Sequence, residues 1–269
     1  MRYSKVYIEA FGYELAPHVV TTTEIEKRLE PFFNTIGFGP GQLEALTGIR
    51  ERRYWEPGHN LADKAALAGQ KALDEAGLSS DRIGALVYCG VGTDGFEPGT
   101  SCAVAHQLNI PEDAHVYDVK NACLGMITGM VQVANEIELG NIEAGLVVSC
   151  ETARQIVDAT IDEINSRQDV EFFKQAVATM TGGSGAVAML LTNGNGGGSQ
   201  HRPHKIMGGT VKNAAQFHDL CYWGFETPGM PVDSKVIMRT RAQAVLDNGL
   251  ELAVKTYDRF RTLFDLAPD

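Results

Sequence analysis

The sequence predicts an α/β protein whose central sheet is largely parallel. Apolar runs of strand length recur along the chain, and segments with helical spacing separate them. Several runs are continuously apolar, which is typical of strands that are buried on both faces. A chain of 269 residues, 44% of them hydrophobic, can bury one large core or two smaller ones.

The strands are predicted from length and composition. The first combines alternation with apolar residues, and the later ones are short apolar runs between turn signals. They are predicted at Lys5–Phe11, Ile83–Cys89, His115–Val119, Gly145–Cys150 and Gly185–Leu191.

The helices between these strands are predicted from spacing and from residues that start or stop a helix. Apolar residues recur every three or four positions in the first, and Gly77 follows it as a C-cap. Pro98 precedes the second, and Gly140 ends the third. These helices are predicted at Leu61–Ala76, Thr100–Leu108 and Leu124–Leu139.

A break in composition predicts two domains, residues 1–195 and 196–269. The run GNGGGS at Gly194–Ser199 is typical of a tight turn or a flexible connector. After it, Lys205–Val211 is predicted to begin a second sheet, and Lys235–Leu263 has the pattern of one long helix. A strand followed by a helix is a poor place for an α/β half to finish, so we expect further parts of the fold.

Charge and hydropathy exclude several classes of function. The formal net charge of −11 argues against nucleic acid or an anionic membrane as the main partner, since both would repel the chain. No apolar stretch reaches the roughly 20 residues that span a bilayer. The first residues alternate and carry charges, unlike a signal peptide. We therefore expect a cytoplasmic protein.

Cys123 is the most informative of the five cysteines. Their odd number, wide spacing and lack of a C-x-x-C argue against a disulfide framework or a zinc site, so no metal is predicted. Cys123 alone falls where a strand gives way to a helix, and the free N–H groups of a helix start favour a thiolate. Gly125 and Gly129 lower helix propensity and would instead allow close packing. On these features alone, a nucleophile and an inert core cysteine remain equally open.

Five segments, in order, resemble the ketoacyl synthase III-like condensing enzymes of the thiolase superfamily. The resemblance covers essentially the whole chain. The segments are LTGIRERR (Leu46–Arg53), EPGTSCAVAHQLN (Glu97–Asn109), DVKNACLG around Cys123, GLVVSCETA (Gly145–Ala153) and TGGSGAVAMLL (Thr181–Leu191), where Ser184 replaces a common acidic residue. It implies a layered α/β/α thiolase-like fold, with the N-terminal half complete and the C-terminal half truncated.

The closest resemblance is to the long-chain acyl-CoA condensing enzymes of bacterial olefin biosynthesis, the OleA type. It implies an acyltransferase of lipid metabolism in which Cys123 carries an acyl group and Glu97 removes an α-proton in the partner subunit's site. Acyl-CoA or an acyl carrier protein thioester is then the substrate, with no other cofactor. The family also implies a homodimer, with much of the interface from Cys89–Asn121. No CoA contact is assigned. Arg50, Arg52 and Arg53 could attract the phosphates of CoA, or they could be surface charges with salt-bridge partners.

The family also uses a histidine and an asparagine from its second half, and this sequence has no matching motif. His106 precedes the cysteine in another helix, and His201, His204 and His218 are expected at the surface. A second chain could supply the two groups. We therefore expect inefficient condensation by this chain alone.

Two other classes of function stay open. GVGTDG at Gly90–Gly95 is a literal G-x-G-x-x-G after a strand, and Asp118 follows near the end of the next strand, as in NAD-binding turns. However, Phe96, Glu97 and Pro98 separate the third glycine from the helix. The other alternative is a non-catalytic subunit that dimerises or complements a partner.

Overall fold

The computed structural model describes residues 1–195, 203–227, 229 and 234–267. It contains two compact units that interleave along the chain. The first comprises Met1–His18, Arg53–Thr152 and Ser184–Gly208, and the second comprises Val19–Arg52, Ala153–Gly183 and Gly209–Asp269. The predicted boundary at residue 195 stays a prediction, and most of the GNGGGS run lies outside the described residues.

The described residues form the following strands and helices. The strands are β1 (Tyr7–Leu15), β2 (His18–Thr21), β3 (Glu51–Tyr54), β4 (Ala85–Tyr88), β5 (His115–Asp118), β6 (Ala144–Glu151), β7 (Gly185–Thr192), β8 (His204–Lys205), β9 (Cys221–Phe225) and β10 (Val236–Thr240). The α-helices are α1 (Thr22–Arg28), α2 (Glu30–Ile36), α3 (Gln42–Thr47), α4 (Leu61–Ala76), α5 (Thr100–Gln107), α6 (Gly125–Leu139), α7 (Arg154–Arg167), α8 (Val170–Ala176) and α9 (Ala242–Phe264).

The first unit contains a six-stranded mixed sheet in the order β5-β4-β6-β7-β1-β8. Strand β4 runs parallel to both β5 and β6, whereas the pairs β6–β7, β7–β1 and β1–β8 are antiparallel. The prediction of a largely parallel sheet is therefore wrong. Helices α7 and α8, which join β6 to β7, belong to the second unit, so this connection is not a crossover that would return a parallel strand.

Helices cover both faces of this sheet. Leu86 and Tyr88 of β4 enter a core cluster with α4 and α5, whereas Val87 and Cys89 enter the opposite cluster with α6. This alternation follows from the two-residue repeat of a strand. The predicted α/β/α layering is present in this unit, and it fixes the side of the sheet on which α6 begins.

The second unit combines short helices with a two-stranded antiparallel sheet, β9–β10. Its aromatic cluster consists of Phe32, Phe33, Phe38 and Phe173, with neighbouring ring centroids 5.2–6.2 Å apart. Helix α9 buries none of its described residues and exposes an apolar stripe that includes Leu246, Leu250 and Tyr257.

Two predictions for the second half are wrong. The helical pattern Lys235–Leu263 contains β10, because the run from Val236 pairs in register with β9 and the helix begins only at Ala242. Lys205–Val211 does not begin a second sheet, since Lys205 pairs with β1 of the first sheet. Within the described ranges, no helix combines the length and apolarity needed to cross a membrane.

Candidate active site

Cys123 is exposed in a tight turn between β5 and α6. It lies in the 3₁₀ turn Ala122–Leu124, two residues before the first residue of the α-helix, and not in the first α-helical turn as predicted. The reason is local: Ala122 has a φ of +45°, and the Leu124 N–H donates to the Asn121 carbonyl at 2.9 Å. Its exposure excludes a core cysteine and leaves the thiol accessible to a ligand.

Two glycines of α6 allow this helix to pack closely against the end of β4. A Cβ atom on Gly125 would collide with the Cys89 carbonyl oxygen, and one on Gly129 would collide with the Cys89 sulfur and approach Val147 Cγ1 to 2.8 Å. The predicted use of Gly125 and Gly129 for close packing is confirmed. Helix α6 therefore starts directly against the end of β4.

Cys89 and Cys150 are core residues, in contrast to Cys123. Their side chains are 3% and 0% exposed, and burial raises the pKa of each thiol to about 12. A thiol that stays protonated at neutral pH is a poor nucleophile. The predicted nucleophilic role is therefore restricted to the exposed cysteines, Cys123 among them.

Glu97 is exposed in the loop between β4 and α5. We name residues 90–99 the Glu97 loop. Phe96, its neighbour, is 81% exposed. Within the described part of the chain no hydrogen bond connects Glu97 with Cys123. The catalytic roles of both residues stay predictions.

A half-buried carboxylate holds the start of the Glu97 loop. Glu151, the last residue of β6, accepts hydrogen bonds from the Val91 N–H at 2.7 Å and the Gly92 N–H at 3.3 Å. Burial raises the pKa of Glu151, and these two hydrogen bonds oppose the shift. This role was not predicted, because the sequence shows only an acidic residue at the end of an apolar run, which does not identify the hydrogen-bond partners of Glu151.

A second carboxylate, from within the loop, caps α4. Asp94 accepts hydrogen bonds from the N–H groups of Leu61 and Ala62 at 2.8 and 2.9 Å. These are free donors of the first helical turn, which a carboxylate satisfies well. The middle of the Glu97 loop is thereby joined to a helix of the core.

A third carboxylate, Asp118 of β5, caps α5 at the other end of the loop. It accepts from the N–H groups of Thr100 and Ser101, both at 2.9 Å. Asp118, the acidic residue of the predicted NAD-binding turn, is thus engaged within the protein. The Val91 and Gly92 amides are engaged with Glu151, and no helix begins directly after Gly95. The geometry does not support the dinucleotide interpretation.

The arginines of LTGIRERR have partners within the protein. Arg52 is buried and donates to Thr22 Oγ1 at 3.1 Å. Arg53 donates to the Ala16 carbonyl at 3.1 Å, and Arg50 forms an exposed ion pair with Glu44 at 3.4 Å. The predicted surface position is wrong for Arg52, and the partners of all three arginines within the protein favour a structural role over contacts with CoA.

The predicted surface position of the histidines is confirmed where the structure describes them. His106 lies exposed on α5, and His204 and His218 are also exposed, whereas His201 lies outside the described residues. Among the described residues, no hydrogen bond joins these histidines to the turn of Cys123.

Comparison with known proteins decides the family. The family model for 3-oxoacyl-[acyl-carrier-protein (ACP)] synthase III matches residues 117–206, which include Cys123. An acyl-CoA:acyl-CoA alkyltransferase of Shewanella oneidensis is 46% identical over 97% of this chain and 74% of its own length. The chain belongs to this alkyltransferase family. A Xanthomonas campestris protein of the same name is 32% identical over 96% of this chain and 72% of its own length.

Solved structures agree with this family. A crystal structure of Xanthomonas campestris OleA matches with a TM-score of 0.88 at 30% identity, over 99% of this chain and 74% of that one. A further OleA structure, with bound lauric acid and lauroyl-CoA, matches with a TM-score of 0.87. The predictions of a thiolase-like fold and a 3-oxoacyl synthase III-like acyltransferase are confirmed. The predicted truncation stays a prediction: these matches run through nearly all of this chain and about three quarters of each relative's own length.

Proposed function

We propose that this alkyltransferase joins two acyl thioesters in a Claisen condensation through an acyl group on Cys123. The observation that carries the proposal is the exposed thiol in the turn before α6. Two glycines of α6 allow this helix to pack against Cys89 at the end of β4. The Xanthomonas campestris relative binds lauroyl-CoA and cerulenin in its crystals, which supports an acyl thioester as substrate.

The first half of the reaction is a transfer of the acyl group. The Cys123 thiolate attacks the thioester carbonyl carbon of an acyl-CoA, the carbonyl π electrons move to oxygen, and the CoA thiolate leaves as the new thioester forms. A thiolate suits this step because it is both a good nucleophile and a good leaving group. The Cys123 backbone N–H would be one donor to the developing oxyanion.

The second half forms the carbon–carbon bond. Glu97 of the partner subunit takes an α-proton from a second acyl-CoA, and the resulting carbanion attacks the carbonyl carbon of acyl-Cys123. The bond to sulfur breaks, the Cys123 thiolate is regenerated, and a β-ketoacyl-CoA leaves. A condensation without decarboxylation needs such a base. The fixed path of the Glu97 loop supports this assignment, because a base must be held in place to be effective.

The proposal includes a homodimer in which β5 lies near the two-fold axis. Strand β5 is at the edge of the six-stranded sheet, and an edge strand presents backbone groups that a second copy can pair. Leu124 and Ile127, just beyond it, are 60% and 51% exposed. Sedimentation velocity would test this, since a monomer at micromolar concentration would contradict it. CoA as the donor, a cytoplasmic location and a second chain that supplies the histidine and asparagine stay predictions.

Acylation of Cys123 is the direct test. Incubation with lauroyl-CoA should add one lauroyl group to the intact mass and release one CoA, and cerulenin should block the reaction. Cys123→Ala should abolish the adduct, whereas Cys102→Ala, at another exposed cysteine, should not. A lauroyl adduct that persists in Cys123→Ala would refute the proposal. Mass spectrometry of extracted lipids then reports the β-ketoacyl product.

A further inference from the structure

The backbone of the Glu97 loop is fixed near its start more firmly than its exposure suggests. Glu151 binds the N–H groups of Val91 and Gly92 at 2.7 and 3.3 Å, and the Tyr88 hydroxyl lies 2.9 Å from the carbonyl oxygens of both Gly92 and Cys150. Both polar groups of Gly92 are therefore within hydrogen-bond distance of a side chain, the half-buried Glu151 or the buried Tyr88. This peptide precedes Glu97 by five residues.

The two other carboxylates around the loop act differently. Asp94 reaches α4 through its own side chain, so rotation about its bonds can absorb a movement of the loop backbone. Asp118 binds the first amides of α5, after the loop has ended. Glu151, in contrast, holds loop amides directly from the end of the central strand β6.

The position of Glu151 is costly for a carboxylate. It is half-buried, and partial burial disfavours the ionised form, as the direction of its pKa shift indicates. An apolar residue would fill the same space without that cost. Hydrogen bonds from the two loop amides offset this cost, since an ionised carboxylate can accept from both at once.

We propose that Glu151 is a positioning residue for Glu97: its carboxylate fixes the start of the Glu97 loop and thereby the place of the base in the partner subunit's site. This inference rests on the proposed function, because it gives Glu151 a role only in the condensation half. Acylation of Cys123 requires no base from the Glu97 loop. Loss of Glu151 should therefore separate the two half-reactions.

The test compares Glu151→Gln with wild type in two assays with lauroyl-CoA. One is the rate of Cys123 acylation, from intact mass. The other is the rate at which deuterium from D2O enters the α-carbon of the lauroyl group. We expect acylation within about twofold of wild type and deuterium exchange slowed about 10- to 100-fold, the effect of a misplaced catalytic group. Hydrogen exchange at Val91 and Gly92 should rise in parallel.

Two further variants exclude a merely structural explanation. Glu97→Gln combined with Glu151→Gln should exchange deuterium no more slowly than Glu97→Gln alone, because Glu151 acts only through Glu97. Glu9→Gln is the matched control: this buried carboxylate of β1 accepts from Thr192 Oγ1 at 3.0 Å and lies outside the loop. It should slow neither half-reaction. If Glu151→Gln does not fold, Tyr88→Phe releases the Gly92 carbonyl and should give the same separation.

The outcomes separate this inference from the proposed function. Absence of a Cys123 adduct in wild type would refute the proposed function. Acylation with deuterium exchange that Glu97→Gln leaves unchanged would refute the base and this inference together. If Glu97→Gln slows exchange but Glu151→Gln slows both half-reactions equally, or neither, only the role of Glu151 is wrong.

Discussion

Replacement of Gly125 by alanine should lower the stability of the fold and slow acylation, because Gly125 lies where the start of α6 packs against Cys89, next to the turn that holds Cys123. The new methyl group would lie closer than 3.0 Å to the Cys89 carbonyl oxygen, a separation that Cβ atoms essentially never show. That oxygen belongs to the backbone, so no change of rotamer can relieve the contact. The start of α6 must move away from β4.

The size of the effect follows from two opposing contributions. Overpacking a core contact costs about 1–3 kcal/mol. Alanine gains up to about 1 kcal/mol of helix propensity over glycine, less at the first residue of a helix. We expect a net loss of about 0.5–3 kcal/mol, which for a protein of this size lowers the melting temperature by about 1–12 °C. A shift of the turn by about 1 Å should slow acylation about 100-fold.

The assay combines thermal unfolding, followed by circular dichroism, with the rate of lauroyl transfer to Cys123. Gly249→Ala is the matched control, since a methyl group there meets no atom within 4 Å and lies on the exposed helix α9. It should stabilise the protein by up to about 1 kcal/mol and leave acylation unchanged. The two substitutions are chemically identical and differ only in the space they enter.

A rescue experiment identifies the colliding atom. Cys89→Ala should partly restore Gly129→Ala, whose methyl group meets the Cys89 sulfur, but it should not restore Gly125→Ala, whose methyl group meets the carbonyl oxygen. The reasoning is refuted if Gly125→Ala melts and acylates like wild type. Rescue of Gly125→Ala by Cys89→Ala would show that the sulfur, and not the backbone, sets the distance.

Three other predictions follow from the same geometry. At pH 8, thiols with a pKa of about 12 are about 0.01% thiolate, so iodoacetamide should label Cys123 and spare Cys89 and Cys150 in the folded protein. Peptide mass spectrometry at timed intervals measures the labelling, and label on Cys89 or Cys150 would contradict their burial. Asp118→Ala should cost about 1–2 kcal/mol in urea unfolding because two amides of α5 lose their acceptor; an unchanged midpoint would contradict this. Because the pKa of Glu151 is raised in the folded state, protonated Glu151 stabilises the fold below its ordinary value of 4.5, and this contribution is lost as pH rises through the raised pKa. Relative to wild type, Glu151→Gln should therefore gain stability as the pH rises from about 4.5 through the raised pKa, whereas a constant difference would contradict the shift.

The sequence predicts the first sheet well where local pattern is sufficient. A continuous apolar run places β4, and helical spacing with Gly77 places α4 with its observed bounds. Strand direction is not a local property, and the antiparallel β7 follows helices that belong to the other unit. The apolar run from Val236 fits a helix or a strand equally well, and only its pairing with β9 decides for the strand.

The candidate site divides in the same way. Cys123 at a strand–helix seam is visible in the sequence, as are the glycines that let α6 approach β4. The positive φ of Ala122 is not, because no residue type demands it there. The role of Glu151 is also hidden, since its partners are backbone amides 59 and 60 residues away.

The GVGTDG loop shows why a motif has to be interpreted through its hydrogen bonds. In a dinucleotide-binding turn, glycines expose backbone amides so that an anion can approach them. Here the amides of Val91 and Gly92 do surround an anion, but it is the carboxylate of Glu151 from the same protein. A pyrophosphate would have to displace this half-buried carboxylate from both amides. The glycines thus allow the Glu151 carboxylate to approach the backbone of the loop, and the same loop carries Glu97.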